Sequence, residues 1–482
     1  MAVAGSRWSV QRFLHHDPPL GEIPSGKEML LKTLRIAWPS ILESFLVALV
    51  GVIDTVMVSS LGSYAIAAVG LTTQPKFICL AIFISMNVAV SAIVARRKGE
   101  GDRESANSVL IQALLITLML AVVVSLLAIV FAEPVLRLAG TAEDTHAPAV
   151  AYFRIISGGM IFNVVSMVIN AAQRGAGNTK IAMRTNIVSN SVNIVCNYLL
   201  INGHFGFPKL GVQGAAIATV IATFCGLMGH VTYAFIGTVA ACCMSIFSLT
   251  NHDRFLYFRV VKKIGFDKRS LESLANLGSS TLAEQIFLRI GFLTYSAIVA
   301  RLGTNAFAAH QVGMNILSIS FSFGDGLSVA AVALVGQSLG EKRPDLAKIY
   351  GGICQRLGVC FASILCVIFL TCSSPIFRLF SDDAEVLGYG AFLMRMISLI
   401  IFMQITQVIY TGCLRGGGDT KFTAFVSLIS VAMIRPFSGW LFCYPLNMGL
   451  LGAWLGLTVD QLMRLTLSYL RFKSGKWTRY KI

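Results

Sequence analysis

The chain has 482 residues, of which 55% are hydrophobic and only 13% are charged, and its mean hydropathy is +0.73. This composition excludes an ordinary soluble domain and predicts an integral membrane protein. The formal net charge of +16 does not predict nucleic-acid binding, because the basic residues lie in short loops rather than in one patch. The eleven cysteines include no CxxC pair and no ligand spacing with histidine, so we expect neither a disulfide framework nor a metal centre.

Twelve runs of mostly apolar residues follow an N-terminal segment that lacks the apolar core of a secretory signal. Each run supplies the roughly 20 residues that a spanning helix needs. In the first half they lie at 34–60, 66–95, 108–132, 150–172, 182–203 and 211–237. In the second half they lie at 275–301, 307–337, 350–372, 388–413, 422–444 and 449–471. The sequence therefore predicts an all-α integral membrane fold of twelve transmembrane helices.

Lysine and arginine are concentrated in the two terminal segments and in alternate loops. By the positive-inside rule both termini are cytoplasmic, which requires an even number of spans. The longest and most basic loop separates two sets of six spans. In chain order we expect a cytoplasmic N-terminal tail at 1–30, an N-lobe at 31–249, a cytoplasmic inter-lobe linker at 250–272, a C-lobe at 273–472 and a cytoplasmic C-terminal tail at 473–482.

The second half of the chain repeats the first at a constant offset of 241 residues. Three blocks share this register: Leu61–Ala68 with Leu302–Ala309, Gly99-Glu100 with Gly340-Glu341, and Arg174–Lys180 with Arg415–Lys421. One register in three blocks indicates a duplication. A membrane chain of two similar halves is typical of transporters that bind substrate between the halves. Because each half has six spans, we expect two pseudo-symmetric six-helix bundles related by an axis along the membrane normal.

Asp54 lies within the first span, where a charge costs about 2.5–3.5 kcal/mol on insertion scales. No lysine or arginine of the same span can pair with it. This position favours a carboxyl group that takes up and releases a proton or that holds sodium. The alternative is a structural role as a neutral acid, hydrogen-bonded to a neighbouring span.

Asn193 and Asn197 on the fifth span are four residues apart and therefore share a face of the helix. Their amides can hydrogen-bond a carboxylic acid or offer carbonyl oxygens to sodium. Thr219 on the sixth span fits the same cluster. The alternative for each of the three is a hydrogen bond that only joins spans.

Several polar residues of the second half are candidates for contact with substrate. Glu284 occupies the position equivalent to Glu43 under the repeat, and its alternative role is a structural ion pair with Arg289 or Arg435. Asp325, within a Gly-Asp-Gly sequence, could line a cleft or provide a hinge in the eighth span. The candidate substrate-cleft residues are Glu284, Asp325, Gln404 and Arg435.

These motifs resemble those of the multidrug and toxic compound extrusion (MATE) family. Pro39 lies near the start of the first span, Val-Ile-Asp-Thr-Val surrounds Asp54, and Leu-Gly-x-x-Ala-x-Ala-Ala follows. Arg-Gly-x-Gly-Asn/Asp-Thr-Lys follows the fourth and tenth spans, and Gly-Gln-x-Leu-Gly follows the eighth. The ending Arg-Phe-Lys-Ser-Gly-Lys-Trp is similar to bacterial members, nearer the DinF-like branch. The resemblance covers the chain from about residue 30 to its end.

The resemblance implies two six-helix bundles that form a V and work by alternating access. It implies export of amphipathic, usually cationic compounds in exchange for protons or sodium, with Asp54 as the coupling carboxylate. Asn193 and Asn197 would complete a cation site in the N-lobe, where sodium remains possible. Because Asn197 is an amide where the family has aspartate or asparagine, a proton is modestly favoured. A further hypothesis is that protonation of Asp54 lets the first span bend at Pro39.

The expected partners are drug-like small molecules and the lipid bilayer, without nucleic acid, and the expected state is a monomer in the plasma (inner) membrane. No cofactor is expected beyond the coupling proton or sodium ion. An alternative function is a flippase for lipid-linked sugars or other lipidic substrates of the same superfamily, whose members tend to have fourteen spans and a cationic central cavity. Arg289, Arg395 and Arg435 give this alternative some support, whereas the span count and Asp54 favour the exporter. An enzyme is not expected, because we find no nucleophile–base pair, metal cluster or phosphate-binding loop.

Overall fold

The computed structural model describes residues 18–59, 61, 63–141, 143–228, 255–256, 267–378 and 384–480. Most of the predicted N-terminal tail and residues 250–254 and 257–266 of the predicted linker lie outside this part. Within the described residues the chain forms helices joined by short loops, without strands. This is the structure expected of a chain in lipid, because a helix hydrogen-bonds its own backbone where water cannot.

Twelve long helices make up most of the described chain. We number them α1 (Gly26–Ser59), α2 (Ser63–Gly99), α3 (Arg103–Val130), α4 (Glu143–Gly175), α5 (Thr179–Asn202), α6 (Gly211–Met228), α7 (Lys268–Ala300), α8 (Thr304–Gly340), α9 (Pro344–Thr371), α10 (Ala384–Gly416), α11 (Thr420–Cys443) and α12 (Gly449–Lys473). Helix α11 has π-helical pitch over Leu428–Ile434 and returns to α-helical pitch at Arg435. Each predicted span overlaps one of these helices, which confirms the predicted fold.

Nine of the described helices are long and apolar enough by length and composition to cross a membrane. The other three long helices are α5, α6 and α12. Helix α6 is described only as far as Met228, and α5 and α12 carry the polar residues of the sites analysed below. A spanning helix with a functional polar face is less apolar on average, because that face contacts protein or a cavity rather than lipid.

The helices form two compact units. The C-terminal unit comprises the chain up to Ser44 and from Ser279 onward, and the N-terminal unit comprises Phe45–Gly278. The division falls inside α1 and inside α7. The boundaries of the lobes proposed from the sequence remain predictions.

In the C-terminal unit, the first half of α1 packs closely against α8. A Cβ atom at Gly326 would lie 2.5 Å from the backbone nitrogen and Cα of Ile41, so only glycine permits this approach. The neighbouring Asp325 accepts a hydrogen bond from Ser44 Oγ at 3.2 Å. The Gly-Asp-Gly sequence therefore holds the beginning of α1 against α8.

The end of the chain is also packed onto the C-terminal unit. Trp477 is fully buried, and its ring stacks on Phe472 with a centroid distance of 5.2 Å. Arg471 Nε donates to Asp419 Oδ2 at 2.6 Å, which joins the end of α12 to the start of α11. The segment predicted as a C-terminal tail is thus anchored by a buried aromatic side chain as far as it is described.

Candidate functional site: an amide-lined cavity

A cavity of about 450 Å³ lies in the N-terminal unit between α1, α4, α5 and α6. Most of the residues that line it have polar side chains. The amide side chains that line it are Asn163, Asn170, Asn186, Asn190 and Asn193. Asp54 supplies the one carboxylate among the described residues of the wall, and Arg174 lines it at the end of α4.

Asp54 and the other three predicted coupling residues are joined in one chain of hydrogen bonds. Asn197 Nδ2 donates to Asp54 Oδ1 at 2.7 Å and to Asn193 Oδ1 at 3.1 Å. Asn193 Nδ2 donates to Thr219 Oγ1 at 3.4 Å, and that hydroxyl donates to the Ala215 carbonyl at 3.0 Å. The structure therefore brings together Asp54, Asn193, Asn197 and Thr219, as the sequence predicted, although their role in coupling remains a prediction.

The close contact between α5 and α6 makes this network possible. A Cβ atom at Gly214 would lie 2.4 Å from the Leu200 carbonyl oxygen, so the two helix backbones touch at this point. Asn193 and Asn197 lie on α5 and Thr219 lies on α6, and close backbones bring such short side chains within hydrogen-bonding distance.

The network suits a carboxyl group that changes its protonation state. In the observed arrangement the Asn197 amide donates to Asp54, which stabilises the ionised carboxylate. The Asn197 Oδ1 atom is buried and has no hydrogen-bond partner among the described residues. A half-turn of the amide would present this oxygen to a protonated Asp54 as an acceptor. One side chain can therefore serve both forms of the carboxyl group.

Sequence reasoning missed two features of this site. The first is the extent of the amide-rich face, since Asn186, Asn190, Asn193 and Asn197 follow one another at spacings of four, three and four residues on α5. The second is Lys76 of α2, which interacts electrostatically with Asp54. A lysine inside an apolar span is itself a signal of function, and it follows Pro75 in the sequence.

Glu284 forms an ion pair, but its partner differs from both arginines considered above. Arg415 Nη2 donates to Glu284 Oε1 at 2.7 Å, and Thr423 Oγ1 donates to Glu284 Oε2 at 2.9 Å. The pair joins α7 to the end of α10. Arg415 belongs to the repeated Arg-Gly-x-Gly motif, so this part of the motif has a structural role in the C-terminal unit.

Arg435 is buried in a cluster of charges within the C-terminal unit. Its Nε and Nη2 atoms donate to Asp460 Oδ2 at 2.9 and 2.6 Å, and Arg464 Nη2 donates to the same oxygen at 3.0 Å. The guanidinium carbon also lies 4.7 Å from the centroid of the Phe292 ring. Arg464 lies four residues after Asp460 on the same helix, whereas Arg435 is a partner that sequence spacing does not show.

The remaining candidates occupy separate places in the C-terminal unit. Asp325 is half-buried and bonded to Ser44, as described above. Gln404 on α10 is half-buried, and its Oε1 atom has no hydrogen-bond partner among the described residues. Glu43 is buried. Contact of Glu284, Asp325, Gln404 and Arg435 with substrate therefore stays a prediction, and the geometry gives Glu284 and Arg435 structural partners.

A metal centre of the usual kind is not found in the part of the chain that the structure describes. No group of three or more His, Cys, Asp or Glu side chains there could hold a metal ion. The only ion chemistry that the cavity offers is that of one carboxylate with amide and hydroxyl oxygens, which are ligands for a hard cation or acceptors for a proton.

Comparison with known sequences identifies the family. The MatE family model matches residues 39–199 and again residues 281–441, which agrees with the internal repeat. A probable multidrug resistance protein NorM of Thermotoga maritima is 28% identical over 96% of this chain and 95% of its own length. The uncharacterised transporter YisQ of Bacillus subtilis is 26% identical over 94% of this chain and 96% of its own length. The multidrug resistance protein MdtK of Edwardsiella ictaluri is 25% identical over 92% of this chain and 96% of its own length.

Solved structures share the fold. An outward-facing multidrug resistance MATE transporter of the MOP superfamily superimposes with a TM-score of 0.83 at 19% identity, over 95% of this chain and all of that one. A MOP superfamily transporter from Pyrococcus furiosus, described as having a binding pocket of reversed polarity, gives the same TM-score and identity over 96% of this chain. The repeat, the twelve helices and the two family matches lead to one conclusion: the chain is a multi-pass membrane protein that belongs to the MATE family, whose members are transporters and not enzymes.

Proposed function

We propose that this protein exports amphipathic, cationic organic compounds by antiport with protons or sodium ions. The observation that carries the proposal is Asp54, which the Asn197 amide holds at the wall of a polar cavity of about 450 Å³. Cavities of roughly 300–1,000 Å³ accommodate drug-sized molecules. The names of the NorM and MdtK relatives, which are multidrug resistance proteins, support the same function.

Antiport follows from competition for one carboxylate. An ionised Asp54 attracts an organic cation that enters the cavity, and a proton or sodium ion at the same carboxylate removes that attraction. Substrate and coupling ion therefore exclude one another, which is the requirement for exchange. In this proposal both termini are cytoplasmic, the protein acts as a monomer and the DinF-like branch is its nearest part of the family.

The flippase alternative depends on a cationic cavity, and the structure gives it little support. Arg435 is 1% exposed and its guanidinium is bonded to Asp460, so it does not supply a free positive charge to a substrate. The amide-lined cavity contains the carboxylate of Asp54 as well as Arg174, so it is not purely cationic. We therefore retain export of cations as the function that the geometry supports best.

The test is efflux of a fluorescent organic cation from reconstituted vesicles, with a proton gradient and a sodium gradient imposed separately. We expect at least one gradient to drive export, and we expect Asp54→Asn to abolish it while the protein still inserts at the normal level. Glu133→Gln is a suitable control, because Glu133 is an exposed carboxylate paired with Arg154 on the surface. Transport of the cation with neither gradient, or normal export by Asp54→Asn, would contradict the proposal.

A further inference from the structure

Lys76 is a charged residue inside α2, half-buried and thirteen residues from the start of the helix at Ser63. It lines a small space of about 30 Å³ together with Asn163 and Thr219. Asn163 and Thr219 also line the large cavity, so this space lies beside the cavity that contains Asp54. A lysine at this depth is costly in lipid and is expected to have a functional partner.

The Lys76 Nζ atom lies 5.8 Å from the centroid of the Phe77 ring, and the opposite charge that acts on it is that of Asp54. The ammonium and carboxylate groups interact electrostatically, yet they do not form a direct ion pair among the contacts of the described residues. Two other ionisable groups belong to the surroundings of Asp54. Tyr152 of α4 is buried and within electrostatic range, and Arg174 lines the cavity at the far end of α4.

We propose that Lys76 determines the coupling ion: its ammonium group acts as a tethered cation that excludes sodium from Asp54 and leaves the proton as the ion that is exchanged. The proposal rests on the antiport function above and adds the identity of the ion. Sodium is strongly hydrated and must exchange its water for several oxygen ligands and a strong negative charge. Lys76 offsets part of the negative charge of Asp54, which weakens the attraction for sodium more than the attraction for a weakly hydrated organic cation.

A proton is not excluded in the same way, because it binds covalently to one carboxylate oxygen and needs no coordination shell. Protonation of Asp54 also leaves the charge of Lys76 uncompensated. The cavity then becomes more positive, which opposes a bound organic cation and favours its release. Lys76 therefore accounts for both the choice of ion and the direction in which that ion affects the substrate.

The test compares sodium binding by purified full-length protein and by variants, measured as the melting temperature in sodium chloride and in choline chloride of equal concentration. A ligand that binds only the folded state raises the melting temperature, because at a free concentration c it stabilises that state by RT ln(1 + c/Kd). We expect no sodium effect in the wild type or in Lys76→Arg, which keeps the charge. We expect Lys76→Gln to bind sodium about tenfold or more tightly, because a like charge next to a bound cation is removed.

Two further measurements complete the test. The double variant Lys76→Gln with Asp54→Asn should lose the sodium effect, which would locate the new binding at Asp54. In vesicles, Lys76→Gln should respond to a sodium gradient that does not drive the wild type. Sodium-driven export by the wild type would overturn this inference and leave antiport intact, whereas export by the wild type with neither gradient would overturn antiport itself. A Lys76→Gln protein that folds and shows no sodium effect would also overturn the inference.

Discussion

Replacement of Asp460 by asparagine removes the negative charge that the buried Arg435 and the half-buried Arg464 share. Both Arg435 Nη2 and Arg464 Nη2 contact Asp460 Oδ2, at 2.6 and 3.0 Å. The two guanidinium groups therefore lie within about 6 Å of each other, where like charges repel by roughly 3 kcal/mol at an effective dielectric constant of about 20. Removal of one partner of a buried ion pair typically lowers the free energy of unfolding by about 3–5 kcal/mol, and we expect a decrease of this size for Asp460→Asn.

The balance of positive and negative side chains in this cluster predicts a smaller decrease in the free energy of unfolding for Arg435→Met. Glu284 is also within electrostatic range of Arg464 and is paired with Arg415. Without Arg435, the two carboxylates Asp460 and Glu284 balance the two remaining arginines. Methionine also fills much of the volume, so we expect a cost of about 1–2 kcal/mol, although Arg435 makes two hydrogen bonds and lies over an aromatic ring.

Thermal unfolding in detergent, followed by tryptophan fluorescence and by size exclusion after heating, measures the difference. Trp454, fully buried on α12 near Asp460, reports on this unit. For a unit of this size we expect a fall in melting temperature of roughly 6–15 °C for Asp460→Asn and roughly 2–6 °C for Arg435→Met. A lower melting temperature for Arg435→Met than for Asp460→Asn would refute the reasoning, because it would mean that the number of contacts outweighs the balance of charge.

Two matched comparisons test other parts of the structure. Asn197→Ala removes the hydrogen bond to Asp54, worth about 1.5–3 kcal/mol for a charged acceptor, and should reduce export about tenfold or more. Asn190→Ala, in the same helix and cavity wall but without a bond to Asp54, should reduce export less than Asn197→Ala in the same vesicle assay. In thermal unfolding, Gly326→Ala places a Cβ 2.5 Å from the backbone of α1 and should cost about 1–3 kcal/mol. Gly278→Ala meets no atom within 4 Å and should be neutral or stabilising by up to about 1 kcal/mol; equal melting temperatures for the two glycine variants would contradict the close packing.

Most of the fold could be predicted from the sequence, because lipid permits few backbone structures. An apolar run of sufficient length must form a helix, and helical spacing places Asn193 and Asn197 on one face whatever surrounds them. The partner of Glu284 could not be predicted in this way. Arg415 is 131 residues away, and which of several arginines reaches Glu284 depends on how α7 and α10 pack. Lys76 could have been identified from the sequence, because the cost of a charge inside a span, which identified Asp54, applies equally to a lysine.

The repeat shows that the two units carry their carboxylates at different positions and in different surroundings. Asp460 is equivalent in the repeat to Thr219 of the amide network, and Tyr295 is equivalent to Asp54. In the C-terminal unit, Arg435 contacts Asp460 directly, so a permanent cation of the protein satisfies the carboxylate. In the N-terminal unit a neutral amide contacts Asp54, and Lys76 interacts with it only through space. A carboxylate that is hydrogen-bonded to an arginine stays ionised, because the guanidinium charge stabilises that form. A carboxylate that is hydrogen-bonded to a neutral amide can bind and release a proton more readily. Duplication thus supplied two similar bundles, and in the proposed mechanism the residues that differ between them confine ion exchange to the N-terminal unit.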